Sequence, residues 1–150
     1  MIGQSDDLAT LKTLTSTLND SVNGYRQAAE DVESSEFRDL FTQFADQRSR
    51  ASADLQAEVR RLGGEPDQDG STMGSIHQSW LDLKAAITGR DDKAVLNEVE
   101  RGEDYLKEKF EAALSSDNLS GDSRMAVERA YQSVREGHDR MSSLKHGLSV

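Results

Sequence analysis

Glu98–Leu114, EVERGEDYLKEKFEAAL, puts an acid where the surrounding pattern requires an apolar side chain. Working outward from it, Leu96, Val99, Leu106, Phe110 and Ala113 recur at steps of three and four, the spacing that lines one face of an α-helix. The member missing between Val99 and Leu106 is Glu103. A carboxylate on a buried seam needs a metal, a cation or a proton in place of the water it gives up. Which of these it has separates a metal-centre reading from a structural one.

The same periodicity runs in both directions along the chain. A helix is predicted over 6–33, opened by Ser5, Asp6 and Asp7 and carrying Leu8, Leu11, Leu18, Val22, Tyr25, Ala29 and Val32 on one stripe. Ser34 and Ser35 read as a turn and the next cap. A second helix over 36–62 carries Phe37, Leu40, Phe41, Phe44, Ala51, Leu55 and Val59, and stops at Gly63-Gly64 with Pro66 just beyond. Asp91 or Asp92 caps a third over 91–114. After the turn-rich SSDNLSGDS, a fourth runs over 122–146 with Val127, Ala130, Tyr131, Val134, Met141 and Leu144 inward.

Between the second and third helices lie residues 63–90, polar and turn-rich at first, then a short helix over 75–88 with Ile76, Trp80, Leu83 and Ile87 on one face. This reads as a crossover laid along the bundle with Trp80 as its anchor. Two tight hairpins joined by one long crossover predict an all-α fold, a ferritin-like four-helix bundle formed by residues 1–150 as a single domain.

Composition narrows the partners. With 18 Lys and Arg against 28 Asp and Glu the net charge is −10, which repels nucleic acid and anionic membrane surfaces and favours basic partners or small ligands; a protein partner or a homo-oligomer stays open. There is no cysteine, so disulfides, thiolate metal sites and thiol nucleophiles are excluded. MIGQSDDLAT is polar where a secretory signal would be apolar, and no run approaches the roughly 20 apolar residues of a membrane span, so a cytoplasmic location is expected.

NGYRQAAEDV in the first helix, ADQRSRASADLQAEVRRLGGEP through the second, GSIHQSWLDLKAAITGRDDKAVLNEVERGED through the crossover into the third, and EGHDR in the fourth together resemble a bacterial family of ferritin-like four-helix-bundle proteins of unknown function. The LGGEP, HxxWxxLK and ERGED stretches carry most of that resemblance, which covers residues 8 to 146. It implies a fold and a lineage and supplies no reaction.

Each predicted helix offers a polar group near mid-bundle, where ferritin-like di-iron proteins hold their metals with a Glu from two helices and a Glu-x-x-His from each of the other two. Here the second helix has no histidine, and the residue three before His138 is Arg135. His77 falls in the crossover and His146 near the C-terminus. The ligands left for iron or manganese are Glu30, Glu100, Glu103 and His138, with Glu30 close to the first turn. The competing reading starts from Arg48, which interrupts the seam of the second helix between Phe44 and Ala51. Its planar fork suits a carboxylate, and a buried polar layer of Arg48, Glu100, Glu103 and His138, extending to Asp139, is the expectation.

That layer leads to a non-catalytic protein with no cofactor, acting through protein contacts in stress or envelope-associated physiology. The metal-binding alternative uses Glu100, Glu103 and His138. A third reading, a small apolar ligand between the helices, draws on Gly24, Gly102 and Gly137, which interrupt three helices at similar depth with Tyr25 and Tyr131 nearby.

Overall fold

A computed structural model describes residues 2–65, 92–116, 119 and 121–149. Four helices account for almost all of them: α1 (Ile2–Asp31), α2 (Ser35–Arg61), α3 (Asp92–Ser115) and α4 (Gly121–Ser149), with no strand among the described residues. None of these helices is long and apolar enough to cross a membrane. Of the crossover predicted over 63–90, residues 66–90, with the short helix over 75–88 and Trp80, lie outside the described residues.

The helix ends follow from local chemistry. Ser34 has extended backbone angles and its hydroxyl accepts the Phe37 amide at 3.3 Å, an N-cap that starts α2. At the other end of α2, the Gly63 amide donates to the Arg60 carbonyl and the Gly64 amide to the Val59 carbonyl, with Gly63 at φ +87°. That pairing is a Schellman motif, and its left-handed residue favours glycine. The Asp92 carboxylate accepts the Glu33 and Ser34 amides at 3.1 and 3.2 Å, so the start of α3 sits against the α1–α2 turn.

Each hairpin is also closed by an arginine of its second helix. Arg38 donates to the carbonyls of Ala29 and Val32 at the end of α1, and Arg124 donates to those of Leu114 and Ser116 at the end of α3. These carbonyls have no intrahelical donor left, and a guanidinium also complements the negative end of a helix dipole. Arg38 and Asp92 between them take up the groups of residues 29–34, which is why α1 ends at Asp31, two residues short of the predicted 33. α1 also begins four residues ahead of the predicted Asp6. Asp7, expected as a first-turn acid, lies within the helix instead and is 1% exposed.

Around the bundle, α1 packs on α2 and α3, and α4 packs on α2 and α3, while the α1–α4 diagonal barely meets and α2 and α3 do not approach at the backbone. Two apolar clusters fill the interior. One contains Leu11, Leu14, Leu18, Leu55, Val59, Leu106, Phe110, Val127 and Val134. The other, toward the α1–α2 turn, contains Tyr25, Val32, Phe41, Phe44, Leu96, Val99 and Met141. Tyr25 stacks on Phe44 at a centroid distance of 5.7 Å and meets Phe41 at a tilt, 5.8 Å away. Between the clusters the apolar succession breaks on every helix, at Ser21, Arg48, Glu103 and Gly137.

The left-handed angle at Gly63 gives a paired expectation. Gly63→Ala lowers stability by about 1–2 kcal/mol in urea unfolding, the usual cost of that conformation for a residue with Cβ. Gly121→Ala, where an added Cβ meets nothing within 4 Å, is neutral or slightly stabilising.

Candidate functional site: an ion pair across the bundle

Arg48 and Glu103 are both fully buried, and their side chains meet as a bidentate pair. Arg48 Nη1 donates to Glu103 Oε1 at 2.6 Å and to the Ser21 hydroxyl at 2.7 Å. Its Nη2 donates to Glu103 Oε2 and to the Val134 carbonyl at 3.4 Å. The guanidinium carbon lies 5.5 Å from the centre of the Tyr25 ring, a cation–π contact. The pair therefore joins α2 to α3 across a diagonal whose backbones never approach, while α1 supplies Ser21 and Tyr25 and α4 supplies Val134.

α4 also supplies room. A Cβ on Gly137 would stand 2.7 Å from Glu103 Oε2 and closer still to Arg48 Nη2. A buried glycine in mid-helix costs about 1 kcal/mol relative to alanine, and here its missing side chain is the volume the pair occupies. The space near the predicted glycine level is thus filled, at Gly137, by two side chains.

Burial works to lower the Arg48 pKa, but the charge and hydrogen bonds of Glu103 more than reverse it, so the guanidinium stays charged. Burial pushes the Tyr25 phenol well above its ordinary range, and the neighbouring Glu103 charge pushes it further, against the opposing effect of Arg48. The Tyr25 hydroxyl and Arg48 Nε are buried without a hydrogen-bond partner of good geometry. The layer is thus a charged pair beside a tyrosine held protonated.

The other predicted site residues lie elsewhere. Glu100 is half-buried on α3 and has an interaction of its own. His138, beside Gly137, faces outward between two carboxylates, with Nε2 2.5 Å from Asp104 Oδ1 and Nδ1 3.2 Å from Asp139 Oδ1. Its ring belongs to the α3–α4 surface rather than to the layer, which corrects its placement beside Arg48. Glu30 is exposed, along a groove of about 350 Å³ between α1 and α2 that Arg26, Arg38, Thr42 and Asp46 also line. Tyr131 stacks on Phe110 and donates to Glu111 at 2.7 Å. Among the described residues no three His, Asp or Glu side chains converge as a metal would require. Both Glu103 oxygens are taken by Arg48, so the four candidate ligands do not fit a shared ion.

Ser21 and the Val134 carbonyl complete the layer without having been singled out in the sequence. A serine on an apolar stripe carries a weak signal, three residues past Leu18 and next to Val22. A backbone carbonyl carries none.

Fold and site define a class of protein, a four-helix protein divided at mid-height by an arginine–glutamate pair to which all four helices contribute. The chain belongs to the domain family of unknown function DUF2383, which matches residues 6–116. That span includes Ser21, Tyr25, Arg48 and Glu103 and stops before α4. No curated protein matches the chain.

Glu103→Ala destabilises the protein by about 3–5 kcal/mol in chemical denaturation, because it strands a buried guanidinium. Gly137→Ala also destabilises, although helix propensity alone favours alanine by about 1 kcal/mol. Alkaline titration supplies an independent check. Folding holds the Tyr25 phenol protonated, so the associated stability is intact below the unfolded phenol value of about 10 and is lost as pH rises through the higher folded one. Ultraviolet absorbance shows Tyr25 ionising only with global unfolding, and Tyr25→Phe removes that component.

Proposed function

We propose that this is a non-catalytic member of the ferritin-like bundles, in which the Arg48–Glu103 pair occupies the level where relatives of that architecture hold two metal ions. The observation that carries the reading is the bidentate geometry, which commits both oxygens of the best-placed carboxylate to a fixed cation. The arrangement of helices supports the lineage. Neighbours run antiparallel, α3 begins beside the α1–α2 turn, and a long connection separates the hairpins.

In this reading an arginine supplies, permanently and without exchange, the positive charge that a carboxylate site otherwise draws from metal. Function then resides on the surface. A net charge of −10 favours a basic partner protein over association with a second copy, in the cytoplasm.

The test is elemental analysis of tag-free protein purified without chelator, with anaerobic ferrous titration of the wild type and Glu103→Gln. The expected result is no stoichiometric metal in either. Stoichiometric iron or manganese in the wild type that disappears in the variant overturns the reading and restores a carboxylate metal centre.

A further inference from the structure

Arg48 belongs to the α1–α2 hairpin and Glu103 to the α3–α4 hairpin, so each hairpin brings one charge to the interface between them. Arg48 stands thirteen residues from each end of α2, between Ser35 and Arg61. Glu103 is likewise at the middle of α3, between Asp92 and Ser115. A charge at the centre of a helix keeps its level when that helix is turned end over end. Consequently, if the α1–α2 hairpin packed by the same face on a second α1–α2 hairpin, two Arg48 side chains would arrive at one layer. Two α3–α4 hairpins would likewise bring Glu103 to Glu103.

We propose that the Arg48–Glu103 layer is a recognition device: it makes the two unlike hairpins select each other and prevents each from pairing with a second copy of itself. Apolar helical hairpins with similar stripes are otherwise interchangeable partners, since burial has no direction. A buried charge without its counterpart is heavily penalised, whereas the matched pair is nearly neutral beside an apolar alternative. The layer is therefore specific at little net gain in stability.

Space acts in the same direction as charge. α4 brings Gly137 to this level, and the gap at Gly137 is where the Arg48 and Glu103 head groups lie. An α1–α2 hairpin facing its own copy would bring Ser21, Tyr25 and Arg48 from both sides and no Gly137. The other buried acids of the first hairpin, Asp7 and Asp20, each have an interaction of their own, and neither is among the groups that set the charge of Arg48. Tyr25 and Glu136 also act on Arg48, but its hydrogen-bonded carboxylate comes from α3.

The experiment removes both charges from the full chain. R48M/E103L replaces the pair by apolar groups, and R48Q/E103Q keeps polar side chains without charge. Each is compared with wild type by size-exclusion chromatography with light scattering over a hundredfold range of concentration, and by amide nitrogen–proton NMR. Wild type is expected as one species with one set of resonances. The folded uncharged variants are expected to add at least one further, concentration-dependent species and a second set of resonances. A single species of wild-type stoichiometry, with one set of resonances, in either folded variant overturns the proposal. Loss of folding in both overturns it too, since the layer would then be holding the bundle together rather than choosing its partner.

Discussion

Two opposite charges taken out of water must satisfy each other, and here they do so across the interior diagonal of the bundle. The guanidinium–carboxylate pair constrains everything at its level. It divides the apolar interior into two clusters, requires a hydroxyl from α1 and a carbonyl from α4, and leaves no room for a side chain at residue 137. The constraint is geometric before it is energetic. Desolvating two ions costs about what their attraction returns, so the pair adds little to net stability yet makes any arrangement that separates it costly.

The surrounding layer sets the ionisation of its members. The charge and hydrogen bonds of Glu103 outweigh the burial that works to lower the Arg48 pKa, while burial, and then the Glu103 charge, raises that of Tyr25. The remaining candidates for chemistry have been drawn to the periphery, with His138 between Asp104 and Asp139 and Glu30 in an open groove.

Much of this arrangement is legible in the residues, and the illegible part has definite causes. Arg48 and Glu103 stand out because each interrupts a regular apolar period, and Ser34, Gly63 and Asp92 mark helix ends by their capping chemistry. His138 stands a single position away from the layer's inward direction. One residue is 100° around a helix, and the inward direction at that level belongs to Gly137. Glu100 illustrates a related limit: three residues from Glu103 on the same broad face, it is half-buried where Glu103 is fully buried. Periodicity reveals which side of a helix is buried and cannot reveal which helix lies opposite, so the diagonal nature of the pair has no signature in the sequence. The early start of α1 is hidden for another reason, because the burial of Asp7 is a tertiary fact that local preferences do not record.

The two arginine clamps at the hairpin ends differ from the central pair in the length of chain they span. Arg38 reaches carbonyls six and nine residues back, and Arg124 reaches eight and ten, whereas Arg48 and Glu103 are 55 residues apart. Short loops close quickly and long ones slowly. Each hairpin can thus fasten its own end while the rest of the chain is still searching. On a ribosome the first hairpin emerges with its guanidinium awaiting a counterion that has not yet been synthesised. Until that carboxylate is made, an apolar face that carries an unpaired guanidinium costs more to take out of water than one that does not.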